Sequence, residues 1–178
     1  MPGKKAPSAG GRAYVGFWFH CSPNPSDGAE LHVGSQLESV IRIMRRPLLV
    51  TPTRFKQPES AMLAFDGGAT TRKGVEMLAA SPLLKGLPIH LVMVGTETME
   101  NSAQMEAACS ILASAGHKVH TAIRTGEVEP ALHAYQEEHG VDLLVMGAYG
   151  HSRIRQFLVG STTAHMLRTT TTPLLLLR

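Results

Sequence analysis

The sequence predicts an α/β protein built on an open parallel sheet with helices on both faces. Three observations predict it. From residue 61 onward, short apolar runs alternate with longer amphipathic stretches, the pattern of strand–helix–strand units. One of those runs, Val141–Met146, is almost wholly apolar and opens directly into a loop spaced by Gly147, Gly150 and Gly160, as a buried strand of such a sheet does. The last helix–strand unit also has a second, partial copy near the N-terminus.

Residues 1–30 are rich in Gly, Pro, Ser and Asn and read as loop. Tyr14, Phe17, Trp18 and Phe19 form an aromatic cluster within them, which suits a short piece docked on a larger body. Residues 33–50, VGSQLESVIRIMRRPLLV, then match residues 159–176, VGSTTAHMLRTTTTPLLL. Gly-Ser is followed in both by an arginine (Arg42, Arg168), then a proline (Pro47, Pro173), then Leu-Leu, all at the same offsets. Each copy reads as a helix stopped near a proline and followed by a short strand. The upstream copy has Cys21 and Asn24 where the glycines of the downstream loop would correspond. Residues 51–60, TPTRFKQPES, read as a linker.

The complete unit follows. Ala61–Phe65 is a buried strand ending at Asp66-Gly67-Gly68, and Thr70–Leu84 is a helix with Val75, Leu78 and Ala79 on one face. Ile89–Val94 is the second strand. Ser102–Ala115 is the second helix, with Met105, Ala108, Cys109 and Leu112 at helical spacing and Gly116 just past its end. Val119–Arg124 is a strand, Val128–His139 a helix stopped by Gly140, and Val141–Met146 the next strand. The loop leads into helix Ser161–Arg168 and a last strand, Leu174–Leu177.

Composition narrows the function. The chain has 178 residues, 43% of them hydrophobic, enough for one full domain with some to spare. Net charge is +3, but residues 1–58 hold eight Lys/Arg against three Asp/Glu, and residues 59–178 hold nine against eleven. The basic residues form no stripe interleaved with aromatics, so no nucleic-acid partner is expected. Cys21 and Cys109 form no Cys-x-x-Cys, so neither a disulfide framework nor a zinc site is indicated, and a reduced cytoplasmic setting fits. No apolar run approaches the length of a membrane span, and no signal peptide is expected.

The glycine loop carries the chemistry. Glycines let the backbone turn and bring N–H groups close to an anion. Ser161 and Thr162 place hydroxyls and a cap at the start of a helix, whose partial positive charge adds to the attraction. Strand, loop and helix in this order form a phosphate site in open α/β sheets. There is no Gly-x4-Gly-Lys-Ser/Thr, no lysine in the loop and no Gly-x-Gly-x-x-Gly. The spacing Gly147, two residues, Gly150, nine residues, Gly160-Ser161 instead resembles the C-terminal signature of the universal stress protein family.

That resemblance covers about two thirds of the chain and, in part, residues 33–50. It implies a five-stranded parallel sheet in the order 3-2-1-4-5, Rossmann-like and of the adenine nucleotide alpha hydrolase type. It implies a tandem protein with an incomplete first domain: residues 1–58 with a remnant repeat, and a complete domain over residues 59–178. Strand order would reverse between the strand ending at Phe65 and that ending at Met146, setting Asp66 and Gly147 across one crevice. By resemblance Asp66 contacts the nucleoside part of ATP, with Ala64 and Phe65 near the base; the same aspartate suits a cap for the following helix. Gly68 stands where the family often has serine, which removes one hydroxyl. Val94 would offer backbone groups to adenine and Met146 would wall the pocket, although both also suit the core. Gly147, Gly150, Gly160, Ser161, Thr162 and Thr163 would hold ribose and phosphates, with His151 and Arg153 screening their charge. Mg²⁺ would come with the ATP, the loop Met99–Gln104 offering Glu100 as a further reach. Six further histidines, His90, His117, His120, His133, His139 and His165, show no metal spacing.

The expected role is an ATP-binding regulatory module of the stress response without strong catalysis, because no residue is placed to fix and charge-stabilise a γ-phosphate. A slow ATPase and a dimerisation module without nucleotide are the alternatives. Asp66-Gly67-Gly68 faintly resembles the Ser-Gly-Gly-x-Asp-Ser loop of ATP pyrophosphatases, but the serines and second acid are missing. The family implies a homodimer through the C-terminal strand. The apolar Leu174–Leu177 edge invites pairing, either with Pro47–Val50 of the same chain or with another copy.

Overall fold

The computed structural model describes residues 46–52, 56–147 and 172–177. Its elements are β1 (Leu48–Val50), β2 (Ala61–Ala64), α1 (Ala69–Ala80), β3 (Ile89–Val94), α2 (Met99–Ser114), β4 (Val119–Arg124), α3 (Val128–His139), β5 (Leu143–Gly147) and β6 (Leu174–Leu177). The glycine loop beyond Gly147 and the helix expected at Ser161–Arg168 lie outside the described residues, as do residues 1–45.

The strands form one sheet in the order β1-β6-β5-β2-β3-β4. Five of them, β2 through β6, are parallel and reproduce the expected 3-2-1-4-5 order when counted from β2. The expectation of five strands needs one correction: β1 adds a sixth, antiparallel strand on the outer side of β6. The physical reason is the apolar edge of β6, which the Leu-Leu-Val of β1 covers from within the chain.

Both faces of the sheet are buried. One carries Met62, Ala64, Val92, Leu144, Met146, Leu174 and Leu176 under Leu132 and Tyr135 of α3. The other carries Leu63, Phe65, Ile89, Leu91 and Val145 under Val75 and Leu78 of α1 and Met105 and Leu112 of α2. The alternation along each strand, odd residues to one layer and even to the other, follows from the period of two.

Three boundaries differ from expectation by more than one residue. Helix α1 ends at Ala80, not Leu84, because the residue before Pro82 is driven out of the helical region; Ser81 has ψ 116°. Helix α2 starts at Met99, not Ser102, since the Thr98 side chain accepts from the Asn101 N–H at 3.1 Å and caps it. Strand β5 runs over Leu143–Gly147, not Val141–Met146, because the Val141 N–H still bonds back to Gln136 O at the end of α3. Gly116 and Gly140 end their helices as expected, both with positive φ.

Candidate functional site

The β2–β5 crevice lies where strand order reverses, because β2 pairs with β3 on one side and β5 on the other. The connection after β2 leads to α1 and that before β5 comes from α3, on opposite faces. Such a reversal of strand order is where open α/β sheets place their ligands, at the carboxyl ends of the strands.

On the β2 side, Asp66 follows the strand by two residues. Its Oδ1 accepts from the Gly68 N–H at 2.9 Å and from the Thr71 hydroxyl at 2.6 Å. Gly67 makes the turn with φ +71°, which an L residue adopts only with strain. The Gln104 side chain of α2 lies against it where a Cβ would go. The cap position of α1 is Gly68, with no side-chain bond. Asp66 therefore anchors the turn and Thr71 rather than the helix end in the usual N-cap manner.

On the β5 side, Gly147 is the last residue of the strand and pairs with Leu177. A Cβ there would sit 3.4 Å from the Thr70 methyl and 3.7 Å from that of Thr71. Thr71, only 2% exposed, thus bonds Asp66 with its hydroxyl and lies against Gly147 with its methyl. The two expected site residues are brought together by a third that the sequence reading did not single out. The signal available for it was Asp-Gly-Gly followed by two threonines in the first helical turn.

The other expected residues divide. Ala64, Phe65 and Met146 are buried core side chains, and the Phe65 N–H is taken by Val92 O at 2.8 Å. Val94 ends β3, half-buried against the α3-side core. Gly150, His151, Arg153, Gly160, Ser161, Thr162 and Thr163 lie outside the described residues. The expected loop Met99–Gln104 is instead the first turns of α2. Glu100 there accepts from Gln104 Nε2 at 3.2 Å and is exposed. Among the described residues no group of three His, Cys, Asp or Glu could hold a metal ion, and no helix is long and apolar enough to cross a membrane.

A second polar cluster lies at the β3–β4 side beneath α3. His90 stacks on His120 with ring centroids 4.8 Å apart, meets His139 at 5.6 Å, and its Nδ1 lies 3.0 Å from the Tyr135 hydroxyl. Arg124 caps the Tyr135 ring at 5.0 Å and pairs with Glu138 at 2.7 Å. Burial holds His90 below the ordinary histidine range, with His120 and His139 adding to it. Burial likewise pushes the Tyr135 phenol up. Sequence spacing gave no sign of this cluster, since it gathers from three elements.

A sequence profile of the universal stress protein family matches residues 92–178. The chain is similar to universal stress protein Slr1230 of Synechocystis, 41% identical over 84% of this chain and 53% of that protein. It spans about half the length of the curated relatives it matches. The fold resembles a universal stress protein structure from Archaeoglobus fulgidus, with TM-score 0.62 and 19% identity over 78% of this chain and 52% of that one. It also resembles the universal stress protein of A. fulgidus in complex with dAMP, with TM-score 0.53 and 16% identity over 69% of this chain and all of that one.

Proposed function

The chain belongs to the universal stress protein family, and from that premise we propose that it binds an adenine nucleotide between the carboxyl ends of β2 and β5 as a regulatory module of the stress response. The observation that carries the reading is the Asp66–Thr71–Gly147 arrangement. A carboxylate is held in one orientation by an N–H and a hydroxyl, and the facing strand ends on a glycine beside the methyls of Thr70 and Thr71. A fixed carboxylate is the acceptor that ribose hydroxyls require, and a glycine at the opposite strand end lets the following loop approach phosphates. The residues therefore fit the nucleoside half of such a ligand. The dAMP complex of the A. fulgidus relative supports an adenine nucleotide over other anions.

The finer assignment is ATP, arriving with its Mg²⁺. Asp66, with the backbone around Ala64, Phe65 and Val94 and the wall at Met146, takes the nucleoside. Gly147, Gly150, Gly160, Ser161, Thr162 and Thr163 take ribose and phosphates, with His151 and Arg153 beside them. The loop's lack of a lysine supports binding rather than turnover. Residues 59–178 form the nucleotide domain, residues 1–58 carry the remnant of a tandem partner, and the protein works in the reduced cytoplasm. A homodimer through the C-terminal strand would need the β6 edge that β1 covers.

Native mass spectrometry of the full chain with Mg-ATP tests the reading, beside Gly150→Val and a phosphate-release assay. One nucleotide mass per chain, lost in Gly150→Val and without phosphate release, is expected. No bound nucleotide would leave a dimerisation module, and release abolished by Gly150→Val would make the protein an ATPase.

A further inference from the structure

The two glycines of the Asp66-Gly67-Gly68 turn are each covered by a side chain. Over Gly68 lies the Asp66 carboxylate: a Cβ there would meet its Oδ1 at 2.9 Å and its Oδ2 at 3.3 Å. Over Gly67 lies the amide of Gln104, whose Oε1 takes the place a Cβ would fill. The Gly68 N–H and the Thr71 hydroxyl hold Asp66 Oδ1 from the turn itself and from the start of α1, and so set the carboxylate against α1. Gln104 comes from α2, and so sets the same turn against a second helix. Gln104 is itself held. Its Nε2 donates to Glu100 Oε1 at 3.2 Å, one turn back on the same face of α2. The start of α2 is fixed in turn: the Asn101 N–H donates to the Thr98 hydroxyl at 3.1 Å, and the Asn101 amide donates to Thr96 O at 2.7 Å. Thr96 and Thr98 lie in the connection that leaves β3 after Val94. A line of contacts therefore runs from the end of β3, through the first turns of α2 and Gln104, to the turn that carries Asp66.

We propose that Gln104 is a positioning residue of the nucleotide site, keying the Asp66 turn to α2 and so fixing the span between the ribose acceptor and the end of β3. The inference rests on the nucleotide assignment above, in which Asp66 accepts from the ribose and the backbone around Val94 meets the base. Keying needs both partners. Gly67, at φ +71°, supplies a conformation that other residues adopt only with strain and a side left open for the amide. The Glu100 bond supplies the aim, holding a side chain with several free rotors in one place. A shorter side chain at 104 would leave the turn without its contact to α2. A hydrogen bond is sensitive to small displacements of its acceptor. The effect of Gln104 therefore falls on the ribose hydroxyl that Asp66 accepts from, more than on the base or the phosphates.

The test titrates the full chain calorimetrically with Mg-ATP and with the 2′-deoxy and 3′-deoxy forms of Mg-ATP. The unmodified chain should favour ATP over one of the deoxy forms by roughly tenfold or more, the expected worth of a hydroxyl donated to a carboxylate. Gln104→Ala should weaken ATP by roughly tenfold and leave that deoxy form within about twofold, so that the preference closes. In an Asp66→Ala background Gln104→Ala should add nothing, because the two act as one unit. Glu100→Ala removes an exposed side chain and frees the Gln104 amide without touching the turn. It should narrow the preference in the same direction by about threefold, and it carries the test if Gln104→Ala does not fold. Equal weakening of ATP and both deoxy forms, unchanged affinities, or the same loss in the Asp66→Ala background would overturn the proposal and leave nucleotide binding standing. So would an unmodified chain that binds ATP and both deoxy forms alike. An unmodified chain that binds none of the three would overturn the nucleotide assignment, and the proposal with it.

Discussion

The two edges of the sheet solve one problem by different means. At one end β4 presents His120 and Thr121 to solvent, and polar side chains there discourage another strand from adding. At the other end β6 is all leucine, three of its four residues buried, and it is protected by a covering strand. An edge guarded by composition needs no partner but contributes little burial. An edge guarded by a strand gains core, and depends on that strand staying in place.

The widest gap between the edges should appear on truncation. Leu176→Ala, removing a side chain 2% exposed between β5 and β1, should lower unfolding free energy in urea by about 2–5 kcal/mol. Thr121→Ala on the exposed edge should stay within about 0.5 kcal/mol. Comparable losses at the two sites would break the contrast.

A smaller effect should appear only on the β4 side, and only in acid. His90 titrates below the ordinary histidine value of about 6.5 when folded, so the unfolded chain binds more protons in that window. Stability therefore falls as pH drops through 6.5 toward the folded value, and is unaffected by this group above it. The groups facing His90 are His120 on β4 and Tyr135 and His139 on α3. His120→Gln removes one of the causes that hold His90 down. It should flatten the fall of Tm between about pH 7 and 5; an unchanged slope would assign the acid response elsewhere. The smallest effect belongs to Glu138→Gln. It breaks the Arg124 pair, whose side chains are 38% and 54% exposed, and should cost less than about 1 kcal/mol and less still in high salt.

What the sequence revealed follows from how local each signal is. Strands β2, β3, β4 and β6 were readable because each is a run of four to six residues set off by nearby glycine, proline or aspartate, too short for a helix. Gly116 and Gly140 marked helix ends because positive φ favours glycine. The end of α1 was misread because Leu83 and Leu84 continue the apolar pattern, although Pro82 forbids the helix and Leu83 is 75% exposed. The start of α2 was missed because Met99, 93% exposed, belongs to no apolar stripe, so only the Thr98 cap marks it. At the candidate site, Asp66 and Gly147 stood out by position along the chain. Thr71 did not, because its importance comes from touching both at once. The His90–His120–His139 cluster was invisible for the same reason.

The place of β1 also sets a schedule for synthesis. Its residues Leu48–Val50 leave the ribosome before any other strand described here, and their partners Leu174–Leu176 belong to the last. At about 5–20 residues per second, Leu-Leu-Val waits on the order of ten seconds for its mate. Throughout that interval it is an apolar strand without a ladder. Arg45, Arg46 and Pro47 stand directly before it, two charges and a residue that cannot donate to a sheet, and such flanks keep a waiting segment from pairing with a neighbouring nascent chain. The strand that seals the finished molecule is thus the one that waits longest for its partner while the molecule is being made.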